Sequence, residues 1–179
     1  MANRGIRIIQ NAWIVPNLDE AMDAWMTASG IGPFYVIRRL TRTMDMKIWL
    51  RGALQTSDSS VGYAQAGDLQ IELIERHTNE FHQQGQGEPA KFHHISMWAD
   101  DFDARCAAYR AVGREIMMEG VVGPEQTRFG YVDTISEMGG LTEFTERTKS
   151  MERLYEVVAD GARDWDGSDP VRELTTWPT

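Results

Sequence analysis

Two stretches of this chain repeat one another, and the repeat constrains the fold more than any other feature. The run IELIER at residues 71–76 aligns with TEFTER at residues 142–147. Upstream of these runs, Gly-Tyr at residues 62–63 aligns with Gly-Tyr at residues 130–131. Self-similarity of this kind indicates that one structural unit is built twice. The sequence therefore predicts two equivalent modules.

Each module is predicted to begin with a strand that leads directly into a helix. The strands are residues 6–15 and 92–99, and the helices that follow start at Leu18 and Phe102. Gln10 and His94 each lie eight residues before the first apolar residue of their helix. Three further strands are expected after each helix. Gln10, Glu72, His94 and Glu143 then occupy equivalent places, two on first strands and two on last strands.

The first strand of the second module, residues 92–99, shows the alternation typical of a half-buried strand. His94, Ser96 and Trp98 share one face, whereas Ile95 and Met97 share the other. The same alternation assigns His93 to the face of Ile95, which favours a structural role for it. Two aspartates follow where a helix N-cap is expected.

Composition restricts the functional classes. The 179 residues carry a net charge of −9, which argues against a nucleic-acid or anionic membrane surface. No apolar run approaches the ~20 residues that a membrane span needs. One cysteine, Cys106, excludes an intrachain disulfide and a cysteine-based zinc site. A strand-like run follows the N-terminus without a signal-peptide core, so we expect a cytoplasmic protein.

Four segments together resemble the vicinal oxygen chelate superfamily, which includes glyoxalase I, methylmalonyl-CoA epimerase, extradiol dioxygenases and the fosfomycin and bleomycin resistance proteins. They are FHHISMWADDF at 92–102, LQIELIE at 69–75, YVDT at 131–134 and GGLTE at 139–143. The resemblance covers about residues 6–147. It implies an α+β fold in which two βαβββ modules form a cup-shaped mixed sheet.

The resemblance also implies one domain with defined parts. The first module is expected at residues 6–76, a linker at 77–90, the second module at 91–147, and a C-terminal helix and irregular arm at 148–179. Since this chain carries two modules, its cup could close internally. Formation of a homodimer is a further expectation, through surface apolar groups such as Trp165 and Trp177.

Matched position by position, the resemblance implies a divalent metal held by Gln10, Glu72, His94 and Glu143. An oxygen-rich donor set of this kind suits Mg²⁺, Mn²⁺, Co²⁺, Ni²⁺ or Zn²⁺. Many relatives have histidine where this chain has Gln10. Two alternatives therefore stay open: Gln10 as a ligand, or Gln10 as a polar wall in a cup that has lost its metal.

Such a site suits proton abstraction next to a carbonyl of a small molecule, as in a glyoxalase-like lyase or an epimerase-like isomerase. Glu143 is the preferred base and Glu72 its counterpart. Trp98, Tyr131 and Tyr63 are candidates for the substrate-binding wall. The alternatives are a non-catalytic binding or resistance protein and a metal-free acid–base isomerase. Iron-dependent ring cleavage is disfavoured because Gln10 replaces the first histidine.

Overall fold

The computed structural model describes residues 6–78 and 88–179. The strands are β1 (Ile8–Ile14), β2 (Phe34–Ile37), β3 (Lys47–Leu50), β4 (Ala53–Gln55), β5 (Ser59–Ala66), β6 (Leu69–Arg76), β7 (Lys91–Ala99), β8 (Ile116–Val122), β9 (Thr127–Val132), β10 (Leu141–Glu146) and β11 (Val171–Glu173). The helices are α1 (Leu18–Ser29), α2 (Leu40–Thr43), α3 (Phe102–Ala111), α4 (Ile135–Met138) and α5 (Lys149–Ala162).

The strands form one mixed, curled sheet in the order β11-β2-β5-β6-β1-β7-β10-β9-β8-β3-β4. At its centre, β1 pairs antiparallel with β7. Around this pair the two halves match: β6 lies parallel to β1, and β10 lies parallel to β7. The predicted α+β fold with a cup-shaped mixed sheet is therefore confirmed. The expected linker includes residues 79–87, which lie outside the described part of the chain, so the module boundaries remain a prediction.

Two capped helices cover the convex face of the sheet. The side chain of Asn17 accepts a hydrogen bond from the Glu20 amide at the start of α1, and Asp101 does the same for Ala104 at the start of α3. Apolar side chains of α1 and α3 pack on the sheet in two separate clusters. Since both helices occupy one face, the concave face is left for a cavity.

Of the three strands expected after the first helix, the sequence predicts one at residues 35–40 and another at 44–50, and the structure differs here. The strand β2 ends at Ile37, and Arg39 adopts a positive φ of 53° that turns the chain into the short helix α2. The next strand, β3, pairs with β4 on one side and with β8 of the second module on the other. The first module therefore supplies part of the opposite edge of the cup.

The C-terminal arm is more ordered than the irregular arm expected from sequence. The helix α5 packs against the cup side of the sheet through Met151, Leu154 and Val158. Beyond it, β11 pairs parallel with β2. None of the helices in the described residues is long and apolar enough to span a membrane.

The two tryptophans of the arm pack within their own chain. The Trp165 ring lies against Gly32, and the Trp177 ring lies against Gly123 while its Nε1 donates to the Ser150 carbonyl at 2.8 Å. Both side chains are half-buried. They therefore do not supply the free apolar contacts on which the homodimer expectation rested, and dimerisation remains a prediction.

Candidate active site

Four side chains converge at the floor of the cup from four neighbouring strands. Glu72 lies on β6, Gln10 on β1, His94 on β7 and Glu143 on β10. From His94 Nε2, the nearest oxygens are Glu143 Oε2 at 3.2 Å, Gln10 Oε1 at 3.4 Å and Glu72 Oε2 at 3.5 Å. All four residues are buried. The equivalent strand positions in the repeat are what bring them together.

Each carboxylate has a tyrosine directly opposite it on the neighbouring strand. Tyr63 of β5 pairs with Glu72 of β6, and Tyr131 of β9 pairs with Glu143 of β10. Both hydroxyls hydrogen-bond to their glutamate. The carboxylates therefore lie in matching surroundings, as the repeat of Gly-Tyr upstream of each glutamate suggests.

The two carboxylates nevertheless differ in acidity. Burial raises the pKa of Glu72 to about 7, with a further increase from the negative charge of Glu143. Burial also acts to raise the pKa of Glu143, but the charge and hydrogen bond of His94, together with hydrogen bonds from Tyr131 and Ser96, leave it lowered. At neutral pH, Glu72 is thus about half protonated, whereas Glu143 is ionised.

A β-bulge places a second histidine in the cup. Ala12 pairs with His94, and the next residue, Trp13, pairs with Phe92, so His93 is an extra residue on β7. His93 lines the cavity instead of sharing the face of Ile95 as simple alternation predicts. Sequence analysis missed this residue because alternation carries no signal for a bulge.

His93 links His94 to a half-buried arginine, Arg76. Arg76 Nη2 lies 2.9 Å from His93 Nε2, and His93 Nδ1 lies 2.8 Å from His94 Nδ1. Arg76 follows Glu72 by four residues on β6, so both side chains point to the concave face. The alternation of side chains along β6 could have identified Arg76 as a residue of the cup, because it lies an even number of residues from Glu72. It could not have identified the contact with His93.

These contacts determine which ring nitrogens carry protons. A guanidinium only donates, so His93 Nε2 accepts from Arg76 and the His93 proton sits on Nδ1. Burial, with the nearby His94 and Arg76, lowers the pKa of His93 well below its usual value, which keeps this ring neutral. His93 Nδ1–H then donates to His94 Nδ1. The proton of neutral His94 is therefore on Nε2, where it faces three oxygen acceptors.

The pKa of His94 is raised even though burial opposes its charge, because Glu143 and then Glu72 stabilise the imidazolium. A second proton on His94 would sit on Nδ1, directly against the His93 Nδ1–H. His94 can gain it only if His93 shifts its own proton to Nε2, against Arg76. The contact with His93 thus opposes the second proton that Glu143 and Glu72 favour, and with or without that proton His94 Nε2–H donates to Glu143.

The hydrogen-bond chain continues beyond His94 through two glutamines. Gln10 Oε1 faces His94 Nε2–H, and Gln10 Nε2 donates to Gln70 Oε1 at 2.7 Å. Gln70 is fully buried and lines the cavity, and its Nε2 has no hydrogen-bond partner. The chain therefore ends in an unpaired amide donor.

The cavity above this floor has a volume of about 670 Å³. Most of its wall is aliphatic or aromatic, and both Tyr63 and Tyr131 belong to it. Trp98 instead packs against Tyr155, with ring centroids 4.8 Å apart, and Tyr155 lines the cavity. We therefore assign the aromatic wall to Tyr155 where sequence analysis had proposed Trp98. The site combines a polar floor with an apolar body, as small-molecule pockets commonly do.

Comparison with known proteins identifies the family. A family model described as the Glyoxalase/Bleomycin resistance protein/Dioxygenase superfamily matches residues 9–131. The chain belongs to this superfamily. Superfamily membership at this level supports an enzyme of the glyoxalase, lyase or epimerase kind. Comparison with curated proteins yields no significant match.

Solved structures share the fold at low sequence identity. A hypothetical protein from Bacillus halodurans C-125 is 14% identical with a TM-score of 0.59, covering 82% of this chain and 97% of that protein. A methylmalonyl-CoA epimerase in complex with methylmalonyl-CoA and NH4⁺ is 18% identical, with a TM-score of 0.52 and coverages of 80% and 96%. The methylmalonyl-CoA epimerase from Mycobacterium tuberculosis is 14% identical, with a TM-score of 0.52 and coverages of 85% and 95%.

Members of the superfamily typically use divalent metals, so we tested whether these side chains fit one. Oxygens of Gln10, Glu72 and Glu143 could serve as ligands. His94 does not fit, because Nε2 carries the proton that a metal would have to replace, and the contacts from Arg76 hold it there. The proton on His94 Nε2 therefore does not suit the predicted four-ligand metal, and the metal site remains a prediction.

Proposed function

We propose that this protein is an isomerase that moves a proton at the carbon next to a carbonyl of a small molecule, without a metal. The observation that carries the proposal is the pair of buried glutamates that converge on His94 Nε2 at 3.5 and 3.2 Å, in surroundings that raise the pKa of Glu72 to about 7 and lower that of Glu143. Titratable neighbours whose pKa values are pushed apart are a recurrent sign of an acid and a base.

Glu143 is the base in this proposal. Its ionised carboxylate accepts hydrogen bonds from His94, Tyr131 and Ser96, which fix its position without neutralising it. It takes the proton from the carbon next to the carbonyl, and the electron pair of that C–H bond passes to the carbonyl oxygen as an enolate. Glu143 then holds the proton as a carboxylic acid.

Glu72 is the acid. It approaches from β6, on the far side of the central β1–β7 pair from β10, and its carboxyl favours the protonated form. It gives its proton to the enolate carbon, the carbonyl re-forms, and Glu72 becomes ionised. Delivery to the opposite face inverts the carbon, which makes the reaction an epimerisation. Proton exchange with water restores both carboxyls.

The cavity favours an uncharged, largely apolar substrate body, since most of its wall is aliphatic or aromatic. Exclusion of water by this wall strengthens the electrostatic interactions at the floor. A CoA thioester is the second candidate, because Arg51 and Lys91 line the cavity with exposed side chains that could meet phosphates. The likeness to methylmalonyl-CoA epimerases supports the same reaction class.

Solvent exchange tests the proposal. EDTA-treated protein in D₂O is incubated with 2-tetralone, an apolar ketone, and separately with methylmalonyl-CoA, and deuterium uptake next to the carbonyl is followed by NMR. We expect uptake above the uncatalysed rate with at least one of them, and loss of that uptake in Glu143→Gln. Uptake in neither, or uptake that depends on added metal, would contradict the proposal.

A further inference from the structure

We propose that Gln70 binds the carbonyl oxygen of the substrate through its side-chain Nε2–H. This inference rests on the proposed function, because the oxygen concerned is that of the carbonyl next to which the proton moves. It assigns a binding role to a residue outside the glutamate pair, and it specifies a neutral oxygen acceptor as the group recognised.

Gln70 is the cavity-lining residue that carries a buried, unpaired donor. The buried side-chain atoms without a hydrogen-bond partner in residues 6–78 and 88–179 are Asn11 Oδ1, Asp58 Oδ1 and Gln70 Nε2. Of the three residues, Gln70 lines the cavity. Buried amide N–H groups are rarely left unpaired, and one on a residue that lines a pocket can take a partner from that pocket, a water in the free protein and a ligand oxygen when substrate binds.

The orientation of the Gln70 amide is fixed by its neighbour. Its Oε1 accepts from Gln10 Nε2 at 2.7 Å, and Gln10 Oε1 faces His94 Nε2 at 3.4 Å. If both amides were reversed, the NH₂ group of Gln10 would meet the N–H of His94. The donor direction set by His94 therefore passes through Gln10 and leaves Gln70 with its NH₂ group unused.

The donor direction originates at Arg76. Each group in the series donates to the next, from Arg76 through His93, His94 and Gln10 to Gln70. Hydrogen bonds arranged head to tail polarise one another, which strengthens the donor at the end. The positive end of the chain is a cation, so the free N–H is well suited to an oxygen that becomes negative as the enolate forms.

The position of Gln70 supports this role. On β6 it precedes Glu72 by two residues, so both side chains point to the concave face. A carbonyl oxygen held at Gln70 would place the adjacent carbon within the same part of the floor as the proposed acid. Oxygen binding by an amide then takes the place of the Lewis acid that a metal supplies elsewhere in the superfamily.

Infrared difference spectroscopy tests the inference with 2-tetralone labelled with ¹³C at the carbonyl. In the wild-type protein the bound carbonyl stretch should lie at lower frequency than in hexane, as expected for a strong hydrogen bond. In Gln70→Met the lowering should be lost and the affinity should fall about five- to tenfold, the size of one hydrogen bond. Gln65→Met is the matched control. Gln65 sits opposite Gln70 on β5 but bonds to the Gly67 carbonyl, so that variant should behave as wild type.

A second measurement uses the wild-type protein and does not depend on the variant folding. The Gln70 side-chain ¹H–¹⁵N signals should move on addition of 2-tetralone, with the proton shifted downfield. A wild-type carbonyl frequency that is not lowered, or a lowering that persists in Gln70→Met, would overturn the inference. A lowered, Gln70-dependent frequency without deuterium uptake would keep the inference and reject the proposed isomerase. Deuterium uptake without a Gln70-dependent frequency would do the reverse.

Discussion

The two halves of the cup share a scaffold, but the equivalent glutamates on their last strands have pKa values shifted in opposite directions. Glu72 and Glu143 occupy equivalent strands, and each faces a tyrosine across the ladder. His94 nevertheless bonds to Glu143 at 3.2 Å and lies 3.5 Å from Glu72, so one glutamate has a lowered pKa and the other a raised one. Duplication thus produces a pair of carboxylates. Only the second module has a histidine at the first-strand position, since Gln10 occupies that position in the first, and this one histidine makes the two carboxylates an acid and a base.

The arginines that follow each glutamate diverge in the same way. Arg76 is turned inward, where its guanidinium contacts His93. Arg147, its counterpart in the repeat, is half-exposed and pairs with Glu152 and Asp100. The same position of the repeat therefore holds a surface ion pair in the second module and the start of the hydrogen-bond chain in the first.

The largest expected effect comes from removing the base. Glu143→Gln should reduce deuterium exchange by about 100- to 10,000-fold, because the amide cannot accept the proton. Glu72→Gln should lose most activity relative to wild type below pH 7, where Glu72 is protonated, and should lack the decline in kcat/KM that we expect of wild type as pH rises through about 7. Equal losses in both variants, with unchanged pH profiles, would show that the two glutamates have the same role.

The second prediction concerns stability and distinguishes Glu72 from Glu143 in the absence of a substrate. Because the pKa of Glu72 rises from 4.5 to about 7, the folded protein binds more protons than the unfolded chain between these values. The contribution of Glu72 is fully present below pH 4.5 and is lost as pH rises through 7, roughly 3 kcal/mol in the free energy of unfolding.

Urea unfolding at pH 5 and pH 8 measures this contribution. Glu72→Gln should remove most of the difference between the two pH values, whereas Glu75→Gln, three residues along the same strand, should retain it. A wild-type protein whose stability is the same at both pH values would contradict the raised pKa of Glu72.

The third prediction is that Arg76, whose side chain points into the cup, prevents metal binding at the site. In Arg76→Met, His93 can carry its proton on Nε2, so that His94 can hold its own on Nδ1 and offer Nε2 as a ligand. Calorimetry should then detect Zn²⁺ or Co²⁺ binding about 10- to 100-fold tighter than in wild type, the usual size of effects from residues that orient a ligand. Arg147→Met is the matched control and should bind as wild type does. Tight binding already present in wild type would refute this account of Arg76.

The smallest effect is expected from the tyrosines. The Tyr131 hydroxyl helps to lower the pKa of Glu143, so Tyr131→Phe should move the acid limb of the pH–rate profile to higher pH. Tyr63→Phe removes the corresponding hydrogen bond to Glu72 and should move the basic limb upward instead. Profiles measured on both variants test whether each tyrosine acts on its own glutamate. A shift of the same limb in both would argue against the pairing.

Much of this architecture could be predicted because it depends on local periodicity and on duplication. The repeat placed Gln10, Glu72, His94 and Glu143 on equivalent strands, and the structure brings them together. The helix cap at Asp101 was likewise predictable from residue type.

The remainder depends on features that have no sequence period. The bulge at His93 breaks the alternation of β7, and only the three-dimensional register reveals it. The inward turn of Arg76 and the outward turn of Arg147 follow from different surroundings at identical places in the repeat. The crossing of β3 to the far edge of the sheet is a long-range pairing that the local sequence does not specify.

The protonation of His94 tests the central claim most directly. Protein labelled with ¹⁵N in its histidine rings and treated with EDTA is examined by NMR at neutral pH, before and after addition of Zn²⁺, and a His94→Gln variant assigns the signals. We predict that His94 carries a proton on Nε2 and that Zn²⁺ does not remove it. An unprotonated Nε2, or a Nε2 signal that shifts with stoichiometric Zn²⁺, would show that His94 is a metal ligand and would contradict the metal-free mechanism.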